Sequence, residues 1–348
     1  MERLHIAFFG PVNSGKSTLV NAICGQEVSL VSSQPGTTTD PVRKTVELPG
    51  LGPCVLIDTA GLDDESLLGP ERRRRTLAIL DEADMVVLVG DMALTTDVPV
   101  VHYRRGESIE SLLERLVKAA PSREEKWLTG DLVKAGDTVL LVMPQDSEAP
   151  KGRLILPQVQ VLRELLDRGC IPVCCTPDSL AKAVETVTPQ LVITDSQVFG
   201  LVNRTIPAQW PLTSFSILLA GAKGDLKVFL EGARAIDSLK PGDRVLIAEA
   251  CTHVPDTEDI GRVQIPALLQ KRADVEVEVA AGNDFPEDLS PYSLIIHCGA
   301  CVATRTLVQH RIKKALLAGV PITNYGIALA KLTGILERIS LRIRPQSF

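Results

Sequence analysis

The first residues that could do chemistry form a glycine-rich stretch near the start of the chain, Gly10-Pro-Val-Asn-Ser-Gly-Lys-Ser17. It follows an apolar run that predicts a strand and precedes a run that predicts a helix, which is the context the Walker A pattern requires. Its glycines allow backbone N–H groups to curl around phosphate, and the helix N-terminus adds its dipole. Lys16 would reach the β- and γ-phosphates, and the Ser17 hydroxyl would bind Mg²⁺. The stretch therefore predicts a nucleotide phosphate site.

Asp58 belongs to the same predicted site, because it ends an apolar strand and is followed by Thr-Ala-Gly61. An aspartate at this place can hold Mg²⁺ through water. The next residue, Leu62, is apolar and cannot orient water for attack on a phosphate. Asp63, Asp64 and Glu65 are nearby candidates for that role. We therefore expect slow hydrolysis, suited to a switch more than to a turnover enzyme.

A second group of residues has the types that bind metals: Cys251-Thr-His253 and, later, His297-Cys298-Gly-Ala-Cys301. Each half comes directly after an apolar strand, and the carboxyl ends of parallel strands meet at one edge of a sheet. A Cys-x-x-Cys pair at the head of a helix can place both sulfurs on one metal centre, and the helix amides would stabilise thiolates. The pattern predicts a metal centre of three thiolates with two imidazoles nearby.

Two kinds of metal remain open for this centre. Zinc accepts mixed Cys/His sites and would be structural. A 4Fe-4S cluster usually has four cysteines, so three would leave one iron for His253, His297, a carboxylate or an external ligand. The remaining cysteines on predicted strands and helices, among them Cys24, Cys54 and one of the pair Cys174 and Cys175, are expected to be core residues.

Composition limits the classes of protein to which the chain can belong. Its 348 residues predict two or three domains, and 45% apolar residues suffice for real cores. A net charge of −6 with 3% aromatic residues argues against a general nucleic-acid binder. The sequence contains neither a long apolar run nor room for a signal peptide before the phosphate loop, so we expect a cytoplasmic protein that does not bind membranes.

The order of predicted elements gives an α/β fold in three parts. Short apolar strands alternate with helices throughout, which predicts mainly parallel sheets. We expect a nucleotide-binding domain at 1–120, a second α/β domain at 121–228 and a third α/β domain with the metal centre at 229–348. No internal repeat is evident at this level.

The first domain resembles the translation-factor-like GTPases, with the Era and MnmE groups as the nearest, on the phosphate loop, Pro35-Gly-Thr-Thr-Thr-Asp40 and Asp58-Thr-Ala-Gly61. By this resemblance Thr38 is the switch threonine that closes on Mg²⁺, and Asn13 matches the asparagine that binds K⁺ in potassium-activated members. Asn13 could also serve only to shape the loop. The resemblance implies GTP or GDP with Mg²⁺ as ligands and Lys16, Thr38 and Asp58 as the residues nearest to catalysis. The cofactor-binding set is Asn13, Ser14, Gly15, Lys16, Ser17, Thr18, Thr38, Asp58 and Gly61.

One departure from that family concerns the base. No Asn-Lys-x-Asp motif, which reads guanine in these proteins, occurs in the sequence. A helix, a strand and the base-specificity loop are missing between about Asp91 and Thr95, so that the chain runs almost at once into Pro99-Val-Val101 and Gly106-Glu-Ser-Ile109, which resemble the region of the last GTPase motif. Either a segment of the protein is missing from this sequence, or the protein is a variant that has lost selectivity for guanine.

Taken together, a GTPase domain, a middle α/β domain and the split Cys/His set resemble the HydF family of FeFe-hydrogenase maturation GTPases over nearly the whole chain. Ile260-Gly-Arg-Val-Gln-Ile-Pro266 also looks like the cluster domain of that family. The resemblance implies that Cys251, Cys298 and Cys301 bind a 4Fe-4S cluster, with His253 or His297 near its fourth site. It also implies that the middle domain forms a homodimer.

The function implied is a scaffold or carrier that assembles or delivers the two-iron subcluster precursor to the apo-hydrogenase, working with two radical-SAM maturases. The chain lacks the Cys-x-x-x-Cys-x-x-Cys motif of those maturases. The alternative is an RNA-modification or ribosome-linked GTPase with a structural zinc domain, which the acidic composition disfavours. A dimeric interaction protein with a vestigial phosphate loop is a third hypothesis.

Overall fold

The computed structural model describes residues 3–25, 41–63, 69–121, 127–145, 152–250, 259–282 and 284–340. The chain divides into two compact units, Met1–Glu124 and Glu125–Phe348. The predicted α/β class is confirmed, because the described residues form three sheets whose strands are mostly parallel.

The first unit contains one five-stranded sheet in the order β2-β3-β1-β4-β5. Its strands are β1 (Leu4–Phe9), β2 (Val42–Leu48), β3 (Gly52–Asp58), β4 (Met85–Val89) and β5 (Val100–Tyr103), and its helices are α1 (Lys16–Ile23), α2 (Gly69–Ala78) and α3 (Ile109–Ala119). Only β2 runs antiparallel, along β3. The sequence analysis missed β2 because this edge strand is mostly exposed and polar, so backbone pairing and not an apolar pattern defines it.

Two apolar layers cover the faces of this sheet. Helices α1 and α3 bury Leu19, Val20, Leu112 and Leu116 against one face. The other face, which includes Phe9, Ile57 and Leu88, is packed by Ile79 and by the partly buried side chains Leu62, Leu80, Met92, Leu94 and Val98. Both faces of the parallel part are therefore closed, as buried parallel strands require.

Residues 90–99 join β4 to its neighbour β5 as a continuous loop, and the structure describes every residue from 69 to 121. No strand lies between β4 and β5, since the two pair directly from Val86 with Val100 to Val89 with Tyr103. Residues 90–99 therefore connect β4 directly to β5, and the loss of a segment near residues 91–95 stays a prediction.

The second unit contains two four-stranded parallel sheets, ordered β7-β6-β8-β9 and β11-β10-β12-β13. The first comprises β6 (Thr138–Val142), β7 (Ile171–Cys175), β8 (Leu191–Thr194) and β9 (Leu212–Ser214), with α4 (Leu156–Asp167), α5 (Leu180–Thr186), α6 (Phe199–Thr205) and α7 (Phe215–Lys223). Helix α8 (Leu226–Gly232) leads to the second sheet, which comprises β10 (Arg244–Glu249), β11 (Glu276–Ala281), β12 (Leu294–His297) and β13 (Ile322–Asn324). Its helices are α9 (Ile265–Gln270), α10 (Arg305–Leu317), α11 (Tyr325–Leu332) and α12 (Leu336–Ser340).

The two sheets of the second unit repeat one pattern, which the sequence analysis did not detect. Both place the second strand at one edge and the fourth at the other. The match extends to sequence at the fourth strand and the helix after it, where Pro-Leu-Thr-Ser-Phe-Ser-Ile-Leu-Leu-Ala (residues 211–220) parallels Pro-Ile-Thr-Asn-Tyr-Gly-Ile-Ala-Leu-Ala (residues 321–330). The expectation of no internal repeat was wrong, because the similarity is confined to short stretches and to topology.

The two copies share one apolar core. A single cluster of buried residues includes Leu140 and Phe199 from the first copy and Leu246, Ile295 and Ile327 from the second. Arg338 adds polar contacts, because its guanidinium donates to the carbonyl oxygens of Pro207 at 3.1 Å and Trp210 at 3.0 Å. The two α/β domains of this unit are therefore packed as one body.

Two predicted helices differ in the structure. The sequence predicts one helix from about Asp225 to Leu239, whereas the structure has α8 followed by a 3₁₀ turn over Ala233–Ser238. The helix predicted to start at the Cys-x-x-Cys pair begins only at Arg305, where the Thr304 hydroxyl caps it by accepting from the Leu307 amide. The prediction that Cys298 and Cys301 lie at the head of a helix was wrong, since an irregular loop carries both.

Within the described part of the chain, the helices are all too short or too polar to cross a membrane.

Gly232 tests the packing of α8 on the second copy. A Cβ atom there would lie 2.0 Å from the carbonyl oxygen of Ile322, so α8 approaches the β13 backbone more closely than any side chain allows. We expect Gly232→Ala to destabilise the second unit by about 1–3 kcal/mol, the usual cost of overpacking.

The measurement is the thermal unfolding midpoint of the full chain, with Gly221→Ala as the matched control. Gly221 lies on α7, where an added Cβ meets nothing within 4 Å. This control should gain roughly 0.5–1 kcal/mol from reduced backbone freedom. Equal midpoints for the two variants would contradict the packing described here.

Candidate functional site

The phosphate loop lies between β1 and α1 in a conformation that turns its amides inward. Gly15, which precedes the first turn of α1, has a φ of 94°, and Asn13 has a φ of 60°. Left-handed backbone at these positions is what an anion-binding concavity of successive N–H groups requires. Asn13 and Thr18 are exposed at the rim of the loop, and Ser14 is half-buried. The role of Asn13 as a K⁺ ligand stays a prediction.

Lys16 is buried at the base of this loop. Its ammonium donates to the carbonyl oxygens of Gly10 at 3.1 Å and Pro11 at 2.6 Å. Burial lowers the pKa of Lys16, whereas the nearby carboxylates of Asp58 and Asp63 raise it. The loop therefore holds a desolvated cation whose hydrogen bonds phosphate oxygens can replace.

Asp58 ends β3 beside the loop, as predicted. β3 pairs with β1 so that Asp58 lies opposite Phe8, one residue before that strand ends. Burial raises the pKa of Asp58, and a hydrogen bond from the Ser17 hydroxyl lowers it. Its Oδ1 atom is buried without a hydrogen-bond partner in the described structure. Such an orphaned acceptor beside a serine hydroxyl fits the ligand set that Mg²⁺ prefers.

The residues after Asp58 close directly on the phosphate loop. Gly61 faces Val12 so tightly that a Cβ would lie 2.5 Å from the Val12 nitrogen. The Leu62 amide donates to the carbonyl oxygen of Gly10 at 3.3 Å. The Asp63 carboxylate accepts from the Val12 amide at 2.5 Å. An acidic side chain therefore occupies one loop amide that a phosphate oxygen could use, a contact that sequence alone did not reveal.

Thr38 lies outside the residues that the structure describes, so its predicted role in the switch stays a prediction. The same holds for Cys251 and His253 in the second site.

The second site lies at the carboxyl ends of β10 and β12, which are parallel neighbours with Ala248 opposite His297. Cys298 directly follows β12, and its Sγ atom accepts from the amides of Ala250 at 3.1 Å and Ala300 at 3.4 Å. Burial raises the pKa of the Cys298 thiol, and these two amides lower it. The left-handed Ala300, with a φ of 52°, bends the loop toward Cys301. Two amides aimed at one sulfur favour a thiolate, and thus a ligand.

His297 is fully buried in the same layer, with both ring nitrogens engaged. Its Nδ1 donates to the carbonyl oxygen of Cys298 at 2.8 Å, and its Nε2 accepts from Arg311 at 3.2 Å. Burial and the Arg311 charge lower the pKa of His297 to about 3. Arg311 also donates to the carbonyl oxygen of Glu249. This arrangement ties the ends of β10 and β12 together, and no ring nitrogen of His297 is left for a metal.

Tyr325 contributes a hydroxyl near Cys298 that the sequence analysis did not single out. The hydroxyl is buried without a hydrogen-bond partner in the described structure. Burial raises the pKa of Tyr325 well above its ordinary value, and negative charge on Cys298 raises it further. A buried O–H donor that lacks an acceptor fits a site whose acceptor is a bound group, such as the sulfide of a cluster.

The loop that carries both cysteines, residues 298–303, is held by the first copy of the repeat. Lys223 on α7 donates to the carbonyl oxygens of Ala300 at 2.8 Å, Cys301 at 3.3 Å and Ala303 at 2.8 Å. The Asn324 amide donates to the carbonyl oxygen of Cys298 at 3.3 Å, and its Oδ1 accepts from Ser216 of α7 at 3.1 Å. Nothing in the spacing of the sequence indicates these partners.

The other cysteines have the predicted structural character in part. Cys54 is buried, and Cys24 and Cys175 are half-buried, whereas Cys174 is exposed. Among the described residues, no group of three or more His, Cys, Asp or Glu side chains is placed to hold a metal ion. Cys298 and Cys301 are thus the described half of the predicted centre.

The curated relatives of this chain match its GTPase region. The tRNA modification GTPase MnmE of Nitrosospira multiformis is 34% identical over 143 residues, covering 37% of this chain and 31% of that protein. MnmE of a Methylobacterium species is 36% identical over 149 residues, covering 34% of each. The chain therefore spans about a third of the length of these relatives.

Solved structures of GTPases are similar at low identity. Era from Aquifex aeolicus bound to GDP.AlF4⁻ is 16% identical, covers 82% of this chain and 97% of its own, and gives a TM-score of 0.26. NFeoB from S. thermophilus bound to GDP.AlF4⁻ and K⁺ is 18% identical, covers 34% of this chain and 62% of its own, and gives a TM-score of 0.23.

Three family models match the chain in succession. Residues 5–128 match the 50S ribosome-binding GTPase family, residues 128–224 the hydrogen maturase F dimerization domain, and residues 227–342 the hydrogen maturase F tetramerization domain. The last two are named for oligomer formation, and the region predicted to hold the metal centre falls in the tetramerization domain. A GTPase domain followed by both of these domains shows that the chain belongs to the hydrogen maturase F family.

Proposed function

We propose that this protein is a GTP-hydrolysing scaffold of hydrogenase maturation that binds a 4Fe-4S cluster and assembles or delivers the two-iron precursor to apo FeFe-hydrogenase. The observation that carries the proposal is the occurrence, in one chain, of a phosphate loop with a desolvated lysine and a cysteine loop with amides aimed at sulfur. Membership of the hydrogen maturase F family supports the coarser statement, a GTPase with a role in hydrogenase maturation. Cluster binding and delivery are the further steps of the proposal.

Cys251, Cys298 and Cys301 are the proposed ligands of the cluster. The described residues fit it, because Cys298 has two amide donors at its sulfur and Tyr325 offers an unpaired hydroxyl beside it. When bound, the cluster would supply an iron with an exchangeable position. We propose that His297 positions the loop, since both of its nitrogens have partners, and that His253 or an external group takes the fourth place.

The nucleotide site is proposed to work as a switch of the scaffold. Ser17 and Asp58 would hold Mg²⁺, which neutralises phosphate charge, while Lys16 exchanges the carbonyl oxygens of Gly10 and Pro11 for phosphate oxygens. The middle domain is proposed to form a homodimer, and FeFe-hydrogenase and the radical-SAM maturases are the proposed partners. We propose a cytoplasmic location and no binding to nucleic acid.

The RNA-linked alternative with a structural zinc centre is favoured only by the function of the curated relatives, which are tRNA modification GTPases. Those alignments cover 37% and 34% of this chain, about the share of one domain. The remaining two domains match the hydrogen maturase F family, so this alternative is the weaker one.

The metal centre is tested by Cys298→Ser in protein purified and reconstituted without oxygen. We expect the variant to lose most of its iron and acid-labile sulfide, because the oxygen of serine replaces the thiolate at the site with two amide donors. Its GTP hydrolysis should stay close to that of the wild type, since the phosphate loop belongs to the other unit.

Cys174→Ser is the matched control, because Cys174 is an exposed thiol on β7 and should leave iron content unchanged. Wild-type protein that held zinc and no iron would contradict the scaffold proposal and favour the alternative.

The contact between Asp63 and the phosphate loop gives a separate prediction. Asp63→Asn removes a negative charge that competes with phosphate for the Val12 amide while keeping the size of the side chain. We expect GTP to bind about three- to tenfold more tightly, which corresponds to roughly 0.6–1.4 kcal/mol. GDP should gain less, because it carries less negative charge.

Equilibrium titration with a fluorescent GTP analogue measures this change. Glu47→Gln, an exposed carboxylate on β2, removes the same charge away from the loop and should leave the affinity unchanged. Unaltered or weaker binding by Asp63→Asn would show that the carboxylate does not compete with nucleotide.

A further inference from the structure

The loop of residues 90–99 connects the parallel neighbours β4 and β5 of the first domain. Parallel neighbours usually need a crossover of a dozen or more residues, most often with a helix. Here ten residues suffice, because the loop is bonded at both ends: the Gly90 amide donates to the Tyr103 carbonyl oxygen at 3.1 Å, and the Val86 amide to that of Pro99 at 2.9 Å. The connection contains no helix.

The same loop covers one face of the sheet, as a crossover helix usually does. Met92, Leu94 and Val98 pack against the apolar face that Phe9 and Ile57 contribute to. If this face of the sheet were left uncovered, the domain would lose the stabilisation that burial of these side chains provides, about 25 cal/mol per Å² of apolar area. The domain thus closes its core without the segment that carries the base-reading motif in GTPases of this kind. The alignment with the Methylobacterium relative runs over 149 positions yet uses only 34% of the 348 residues here, so that relative has additional residues within the aligned region.

Among the described residues after β4 and β5, few polar side chains are placed to form hydrogen bonds with a nucleobase. β5 ends at Tyr103 and is followed by the exposed Arg104 and Arg105. A guanine is selected by a carboxylate that accepts from its ring N–H and amino group, and such selection depends on fixed, paired polar groups. The carboxylate of Glu107 is already engaged by Arg115 and by the Ser111 hydroxyl. Asp91 is exposed after β4, and no hydrogen bond of the described residues orients it.

We propose that this nucleotide site reads the phosphate chain and its magnesium but not the base, so that its ligands are nucleoside di- and triphosphates in general and inorganic triphosphate. The inference rests on the proposed nucleotide function and defines its substrate class. GTP remains a ligand, but ATP binds equally well, because the groups that contact the ligand are the loop amides, Lys16, Ser17 and Asp58.

Competition binding on the full-length protein tests this. A fluorescent GDP analogue is displaced by GTP, ATP or inorganic triphosphate in the presence of Mg²⁺. We expect the GTP and ATP affinities to agree within about threefold, a difference below roughly 0.7 kcal/mol. Inorganic triphosphate should displace the probe as well. Lys16→Ala should weaken all three competitors together, which shows that they share the phosphate loop.

Two outcomes would overturn the proposal and are distinguishable. ATP that bound at least about a hundredfold more weakly than GTP would show base reading while leaving the proposed GTPase function intact. Failure of every ligand, GTP included, would overturn the inference and the nucleotide function together. Asp91→Asn decides the remaining possibility: it should leave the ratio of GTP to ATP affinity unchanged, and a fall in that ratio would identify Asp91 as a base reader.

A different observation carries a second inference, at the cysteine loop. Lys223 belongs to the first copy of the repeat, yet its buried ammonium binds three carbonyl oxygens of the loop between Ala300 and Ala303 in the second copy. The equivalent position in the second copy is Thr333. A buried cation held by three carbonyls is strongly oriented, since each bond compensates part of its lost hydration.

The geometry points to Lys223 as a positioning residue for the metal centre, an inference that rests on the proposed cluster function: it fixes the turn that presents Cys301. The carbonyl oxygens of this turn cannot face the sulfurs while they accept from Lys223. In the first copy, the residue that follows the third strand is Asp195, which accepts from Gln158 at 2.8 Å, and a 3₁₀ turn and α6 follow at once. The longer cysteine loop of the second copy lacks such a helix to hold it before Arg305.

Lys223→Met removes the charge and the three hydrogen bonds while keeping an unbranched chain of similar length. Reconstituted without oxygen, the variant should bind iron and sulfide several-fold more weakly than the wild type, and its visible absorption should be altered. Lys227→Met, an exposed lysine on α8, is the matched control and should match the wild type.

The thermal midpoint of the metal-free protein separates positioning from stability. A variant with weak iron binding and a wild-type midpoint supports the inference. Unchanged iron binding overturns it, and so does a loss of iron that merely follows a lower midpoint of the metal-free protein. Lys223→Arg should retain part of the iron binding, because the guanidinium keeps the positive charge and can still donate hydrogen bonds to the carbonyl oxygens.

Discussion

Both sites depend on one constraint, which is that a parallel sheet ends all of its strands at the same edge. Past that edge the backbone amides have no strand to bind, so they must find another acceptor. The phosphate loop after β1 and Asp58 after β3 are adjacent for this reason, as the register of these two strands shows. Ala250 and Cys298 are adjacent after β10 and β12, where the amide of one donates to the sulfur of the other. One class of acceptor is phosphate and the other is thiolate, but the backbone geometry that offers the amide is the same.

In the second unit, both copies of the repeat have the same topology, but only the second copy carries the candidate cysteine site. Both copies place a residue directly after their third strand, Asp195 in the first and Cys298 in the second. In the first copy a short turn and helix follow at once, whereas the second has a loop that reaches Thr304 before its helix begins. Such a loop lacks the hydrogen bonds of a helix and must be held from outside. Lys223 on α7 of the first copy bonds the loop directly, and Ser216 of the same helix holds Asn324, which donates to the loop. The first copy therefore holds the cysteine loop of the second.

The first domain separates two tasks that GTPases usually combine. Closing the core requires apolar side chains over one face of the sheet, and Met92, Leu94 and Val98 provide them from a loop. Reading a base requires polar groups held at fixed positions, and those need a strand and loop that this chain does not have between β4 and β5. Closing the core and reading a base are independent requirements. The domain can therefore form a phosphate loop with a buried Lys16 and a buried Asp58 without that strand and loop. Among the described residues, those that bind phosphate are in place, and the direct pairing of β4 with β5 is the basis for the proposal that the base is not read.

Sequence by itself determined the α/β class with its mainly parallel strands, the phosphate loop and the placement of Cys298 after a strand. Those features follow from local composition, because buried parallel strands are continuous apolar runs and phosphate loops need glycine and lysine at fixed spacing. The sequence could not give the start of α10, the edge strand β2 or the repeat, since a cap, a backbone pairing and a topology leave weak local traces. Only the tertiary structure decided that Lys223 holds the loop of Cys301 and that Tyr325 lies near Cys298. It also decided that Arg311 engages His297 and that Asp63 occupies an amide of the phosphate loop. These contacts join residues far apart in the chain, and their physical cause is the need of each buried polar group for a partner that only packing can bring near.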